Sequence, residues 1–211
     1  MINYKEKWNE LHKKFSENSN NILKYDDWLE QFKEIINNVN DEIIDLGCGV
    51  TGNNTLYLLE NKKQVISCDI AEEALKVIKE NIPNSKTLCF DMTEKIPFED
   101  NFTSMIIADL SLHYFSEETT KKIVKEIKRV LKPDGYLIIR LNSVNSTEFK
   151  NITGEKIEEK YYLKNGMTKR FFDKEDIEYF FKDFEIQYIN EENMNRWNKD
   201  KIVWKCFLRN K

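Results

Sequence analysis

Ile43-Ile44-Asp45-Leu46-Gly47-Cys48-Gly49-Val50-Thr51-Gly52, followed by the apolar stripe Leu56, Leu58 and Leu59, reads as a buried strand, a glycine turn and a helix. A tight turn from strand to helix needs residues without a Cβ, so that backbone can approach a ligand and the helix N-terminus can face it. The spacing G-x-G-x-x-G by itself also serves as a plain turn. Asp45, two residues before the first glycine, sharpens the reading. Beside a pyrophosphate an added carboxylate is repelled by like charge, whereas a ligand that presents an ammonium group attracts it.

The chain beyond this segment alternates strands and helices. Gln64 to Cys68 is a short strand ending in Asp69, followed by a helix from Ala71 to Asn81 that Pro83 closes. Thr87 to Phe90 is a third strand ending in Asp91, and Ser104 to Ala108 a fourth ending in Asp109. Ile123, Val124, Ile127, Val130 and Leu131 mark a helix that Lys132-Pro133-Asp134-Gly135 stops, and Tyr136 to Leu141 is a fifth strand. This order predicts a doubly wound α/β fold with a mostly parallel sheet, whose ligands bind outside the carboxyl ends of the strands. Asp69, Asp91 and Asp109 all fall at that edge.

The flanks differ in kind. Tyr4, Trp8, Leu11 and Phe15 recur at helical spacing, as do Trp28, Leu29, Phe32, Ile35, Ile36 and Val39, with the polar run Ser16 to Asn21 as a hinge between two helices. At the other end Asp173 reads as the N-cap of a helix through Phe181, and Phe184 to Ile189 and Lys201 to Leu208 alternate as two strands of a closing antiparallel hairpin. Asn142 to Thr168 shows no period, and a polar stretch of that length is a substrate-side cover or a solvated loop. The division expected is one domain over 1–211: helices at 1–40, a binding core at 41–141, the cover at 142–172, and helix plus hairpin at 173–211.

With 211 residues, 40% hydrophobic content, and 33 basic against 37 acidic residues for a net charge of -4, the chain suits one domain with a sizeable core. Neither sign forms a block, which argues against nucleic acid or an anionic membrane as partner. No apolar run is long enough to span a bilayer and no signal-like segment opens the chain, so a cytoplasmic location is expected. Cys48, Cys68, Cys89 and Cys206 form no C-x-x-C pair and are expected as reduced, buried thiols with no metal.

In this order, from Ile43 to Leu141 and with the hairpin-closed tail, the chain resembles the class I S-adenosylmethionine-dependent methyltransferases. It is most similar to the small bacterial enzymes of the type 11 and tellurite-resistance-like groups. The resemblance implies a Rossmann-like seven-stranded sheet, S-adenosylmethionine as cofactor with S-adenosylhomocysteine as product, N-terminal helices as a lid, and a small-molecule acceptor. Asp45-Leu46-Gly47-Cys48-Gly49 looks like the family's first motif, in which Asp45 would meet the cofactor's ammonium. Asp69, with Ile70 beside it, matches the acid that holds the ribose hydroxyls. Asp91-Met92 matches the pair at the adenine, and Asp109-Leu110 lies beside the methionine moiety and the acceptor. Thr51 departs from the family's commoner G-x-G-x-G loop and leaves open which backbone NH groups meet the cofactor.

His113 is a candidate general base in Asp109-Leu110-Ser111-Leu112-His113-Tyr114, against the simpler reading of a residue packed in the pocket wall. Tyr4, Trp8 and Tyr25 could bring an aromatic face to the sulfonium. Arg140, in an otherwise apolar strand, needs an anionic partner, either a protein carboxylate or a substrate acid. The competing functions are a nicotinamide-dependent oxidoreductase, a macromolecule methyltransferase and a binding module without catalysis. The Asn/Asp-Pro-Pro-aromatic signature of many amino-methylating nucleic-acid enzymes is missing after the fourth strand. A monomer or a homodimer is expected.

Overall fold

A computed structural model describes residues 3–18, 27–194 and 201–211. Strand β1 (Ile43–Leu46) is buried on both faces and sits centrally because each of its side chains is covered by a helix layer. It pairs in parallel with β2 (Val65–Asp69) and with β4 (Thr103–Asp109). β2 continues to β3 (Lys86–Cys89), and β4 to β5 (Leu131–Asn142), both in parallel. The antiparallel strands β9 (Phe184–Met194) and β10 (Lys201–Asn210) complete a seven-stranded sheet in the order β3-β2-β1-β4-β5-β10-β9. The chain reverses direction across the sheet between β1 and β4, the point at which such folds open a crevice at the strands' carboxyl ends.

The period-2 alternation of the strands divides the core into two layers. Ile44, Leu46, Ile106, Ile139 and Leu141 face the helix α5 (Glu117–Val130), which contributes Ile123 and Ile127. Ile43, Met105, Ile107 and Ile138 face the other way, onto Leu29, Ile36 and Leu58. α5 begins at Ser116, whose hydroxyl accepts from the Thr119 amide at 3.2 Å. The remaining crossover helices are α3 (Asn53–Glu60) and α4 (Glu72–Asn81).

Three sequence expectations are corrected. The periodic segment from Trp28 to Val39 is a 3-10 turn (Asp27–Phe32) running into the six-residue α2 (Lys33–Asn38), although its apolar stripe is buried as expected. The N-terminal helix α1 spans Tyr4–Asn18 and takes in the first half of the hinge expected from Ser16 to Asn21; the other half, and Tyr25, lie outside the described residues. Cys89 is exposed, while Cys48, Cys68 and Cys206 are buried free thiols.

The largest difference is in the stretch from Asn142 to Thr168. It holds the short α6 (Thr147–Lys150) and, with the residues just after it, a separate antiparallel sheet of β6 (Glu155–Glu158), β7 (Tyr161–Lys164) and β8 (Met167–Arg170). Four-residue strands, half exposed and interrupted by a register shift between Lys156 and Glu158, leave no alternation to read. Tertiary contacts hold them: the Thr168 and Tyr161 hydroxyls both donate to the Tyr114 carbonyl, at 2.6 and 3.1 Å. Arg170 pairs with Glu158 and stacks on Tyr161 at 4.9 Å.

β8 leads into α7 (Lys174–Phe180) through a reciprocal capping box between Asp173 and Asp176, and both carboxylates pair with Lys160. Asp173→Ala removes the cap and one arm of this pair. The expected cost is about 1–2 kcal/mol, seen as a fall in Tm of about 2–8 °C for a chain of this size. Calorimetric melting of the two proteins measures it.

Candidate functional site

A cavity of about 770 Å³ opens at the carboxyl edge of β1, β2 and β4 and is roofed by α1 and Tyr161 of β7. The glycine loop forms its floor. Gly47, Gly49 and Gly52 have φ of 76°, 60° and 57°, the left-handed region that L side chains rarely adopt. A Cβ on Gly47 would lie 2.4 Å from the Cβ of Ser111, so that residue permits the close approach of the β1 and β4 loops. The Ser111 hydroxyl seals the contact by donating to the Leu46 carbonyl at 2.7 Å. A Cβ on Gly49 would meet only His12 at 3.8 Å, so the backbone there is open to the cavity. Gly52 is the left-handed N-cap of α3.

All the residues proposed for the cofactor except Asp45 line this cavity, including Cys48, Ile70, Met92 and Leu110. Asp69 accepts from the Gly49 amide and from the Ala71 amide, each at 2.9 Å, and thereby ties the glycine loop to the end of β2. Asp91 holds its own turn by accepting from the Thr93 amide and hydroxyl at 2.8 and 2.7 Å. Asp109 is bound by Arg140 through two parallel hydrogen bonds of 2.7 Å, both side chains being buried, and Arg140 also lies 4.3 Å from the Trp28 ring. The partner that Arg140 needs is therefore a protein carboxylate. Leu110 takes a φ of 55° as the chain leaves β4.

Asp45 occupies a different place. It is 0% exposed and sits under the loop, where Asn54 Nδ2 donates to one oxygen at 3.0 Å and the Thr55 hydroxyl to the other at 2.9 Å. The alternation along β1 turns it onto α3, so the charge argument that set it beside a ligand's ammonium does not hold for this geometry. Burial pushes its pKa up to about 6 against the two hydrogen bonds, with Asp109 and Asp69 adding to the rise.

His113 is the second correction. The sequence presented it as the histidine of this edge, yet it does not line the cavity. Its ring is 1% exposed and lies 4.2 Å from Tyr114, and neither nitrogen has a hydrogen-bond partner. Burial holds its pKa well below the usual imidazole value, with Lys201 and Lys169 acting in the same direction. The histidine that does line the cavity is His12 of α1, stacked on Trp8 at 5.4 Å. Burial lowers its pKa and the facing Asp69 raises it. His12 follows Trp8 by four residues, one helical turn, and that spacing was the signal available for it.

α1 is fixed as a roof by polar and aromatic contacts. Tyr4 shares a hydrogen bond of 2.9 Å with Thr168, Trp8 packs edge-on to Tyr114 at 4.8 Å, and the Asn9 side chain accepts from the Glu73 amide at 3.0 Å. No group of His, Cys, Asp and Glu among the described residues has the arrangement of a metal site, and no described helix is long and apolar enough to cross a membrane.

Residues 44–139 match the family described as "Methyltransferase domain". The fold is that of a SAM-dependent methyltransferase from Anabaena variabilis, which covers 100% of this chain and 96% of its own at a TM-score of 0.73 and 18% identity. Residues 44–139 thus match a methyltransferase domain, and the fold that carries them is one that S-adenosylmethionine-dependent methyltransferases adopt. Among curated relatives, O-methyltransferase 3 of Dictyostelium discoideum is 28% identical over 69% of this chain and 36% of its own length. The tRNA N(3)-cytidine methyltransferase of Xenopus tropicalis is 23% identical over 66% and 45%. The chain spans less than half the length of these relatives.

Two predictions follow from the buried carboxylates. Because the folded pKa of Asp45 lies above the unfolded value of 3.8, its contribution to stability is full below pH 3.8 and is lost as pH rises through 6. Asp45→Asn removes a fall of about 3 kcal/mol over that window, a two-unit shift at 1.36 kcal/mol each, as urea titrations at pH 4, 5, 6 and 7 will show. Arg140→Met strands the Asp109 charge and costs about 3–5 kcal/mol, whereas Arg140→Met with Asp109→Leu recovers most of it; the same titrations measure both.

Proposed function

We propose that this chain is an enzyme that transfers the methyl group of S-adenosylmethionine to a small-molecule acceptor. The observation that carries the reading is the cavity itself: carboxylates and a glycine floor at the edge of β1, β2 and β4 lie beneath an aromatic roof, in a volume typical of small-ligand sites. The residues suit the cofactor. Each oxygen of Asp69 keeps a lone pair for a ribose hydroxyl after accepting its backbone NH. Asp91 has a second oxygen available to an exocyclic amine, with Ile70 and Met92 as apolar flanks for a ring. The open backbone at Gly49 supports approach of the methionine end.

When bound, S-adenosylmethionine supplies a methyl group already activated by the positive sulfur, so that displacement needs no covalent enzyme intermediate. The chain's own residues have to align the acceptor and exclude water. Trp8 and Tyr114 roof the space beside Asp109 with aromatic faces that favour a cation. Tyr161 and the Thr168–Tyr114–Tyr4 hydrogen bonds fasten the three-stranded sheet over the same space, and this enclosure supports a small acceptor over a nucleic acid. The balanced charge supports it too. The family match favours methyl transfer over hydride transfer to a nicotinamide.

Calorimetric titration tests the reading. S-adenosylmethionine and S-adenosylhomocysteine are expected to bind in the micromolar range, NAD not at all, and Asp69→Ala to weaken both by tenfold or more through loss of the ribose ligand and of the Gly49 brace. Binding of NAD alone would overturn the assignment.

A further inference from the structure

Beyond the Asp109–Arg140 pair that joins β4 to β5, one face of the sheet carries polar chemistry that the cofactor cavity does not use. In the register of β5 and β10, Arg140 is opposite Lys205 and Asn142 opposite Val203, so the alternation places Arg140, Asn142, Lys205, Val203 and Lys201 on one face. The 3-10 turn Leu112–Tyr114 packs against the same end of β5 and brings His113 there. The charges of Lys201 and Lys169 reach the His113 ring.

Two features of this group are unusual. Asn142 and His113 are each 1% exposed, yet neither the amide's two polar atoms nor the ring's two nitrogens have a partner. Buried polar groups are nearly always paired, so two orphans at the same end of β5, one on the strand and one on the 3-10 turn packed against it, point to a ligand that completes them. The second feature is charge. Arg140 is neutralised by Asp109, Lys205 by Glu192 at 2.6 Å, and Lys169 by Glu148 at 2.5 Å. Among the described residues Lys201 alone of these cations has no ion pair. Burial brings its pKa down to about 8, with Lys169 and Arg140 acting in the same direction and Glu148 and Asp109 against it, and an anion in direct contact favours the charged form of such a group.

We infer that His113, Asn142 and Lys201 form the acceptor subsite and hold the carboxylate of a small monoanionic acid, Lys201 pairing with its charge while the Asn142 amide and His113 imidazole satisfy its oxygens. One unneutralised cation with two neutral hydrogen-bonding groups matches a carboxylate. A phosphate dianion calls for more positive charge than the site offers. This rests on the methyltransferase reading, and it assigns His113 to acceptor binding instead of proton abstraction. The signal was absent from the sequence because the three residues come from three separate segments.

The test uses the full chain saturated with S-adenosylhomocysteine, titrated calorimetrically with acetate, benzoate and 3-phenylpropanoate, with the corresponding amides, and with inorganic phosphate. At least one acid is expected to bind saturably and at least tenfold more tightly than its amide. Lys201→Met should abolish that preference, Lys201→Arg should retain it, and neither should change S-adenosylhomocysteine affinity. Absence of binding by all three acids, or a preference for acid over amide that survives Lys201→Met, would sink the subsite. Phosphate binding more tightly than every acid would replace the monocarboxylate with a dianion and so overturn the assignment. Failure of the chain to take up S-adenosylhomocysteine at the outset would instead strike the methyltransferase reading.

Discussion

The buried carboxylate of Asp45 is the constraint on which the rest of the site depends. It cannot remain in the core without partners, and the two it recruits, Asn54 and Thr55, lie in the first turn of α3. The helix is thereby held with its N-terminus under the glycine loop. Asn54 in turn accepts from the Trp28 indole at 2.9 Å, Trp28 lies against Arg140, and Arg140 clamps Asp109. Thr55 also shares a 2.7 Å hydrogen bond with Ser67 of β2. A single chain of polar contacts thus runs beneath the cavity from β1 through α3 and the 3-10 turn to β5 and β4. Loss of any one member exposes its neighbour as an unpaired buried group, which makes the floor of the site rigid as a unit.

Above that floor the strand ends perform different tasks with the same residue type. Asp69 holds backbone, Asp91 shapes its own turn, and Asp109 is committed to an arginine. The charge that each can offer a ligand differs accordingly: Asp69 and Asp91 keep accepting capacity toward the cavity, while both oxygens of Asp109 are engaged by Arg140. The roof is built from weaker and more separable contacts, aromatic edges and single hydrogen bonds between α1, Tyr114 and the small sheet. Such contacts belong to the low-stability end of a fold, where segments that admit ligands are found. A stiff floor beneath a separable roof is the arrangement that a buried transfer reaction requires, since the reactants have to enter before water is excluded.

The parallel core was legible in the sequence because its signals are local. Asp45 to Gly52, the carboxylates at 69, 91 and 109, the cap at Asp173 and the alternation of β10 each depend on a few neighbouring residues. The three-stranded sheet was not legible, because its strands are four residues long, half exposed, and stabilised by Tyr114, Phe180 and Asp173 from outside it. His12 shows the intermediate case: it stood on the stripe of α1, but only the docking of that helix over Asp69 gives it a place in the site. His113 shows the converse, a residue near the right strand end whose ring is enclosed behind Tyr114.

Sequence alone determined the order of strands and helices, the left-handed glycine turn and the edge at which the cavity opens, since backbone sterics and hydrophobic period act over short distances. Tertiary structure decided which carboxylates remain available and which are consumed by protein partners. It also decided which histidine meets the cavity and where the uncompensated Lys201 is placed. Those outcomes follow from side-chain direction and from the burial of one charge against another, and both arise only when segments far apart in the chain are packed together.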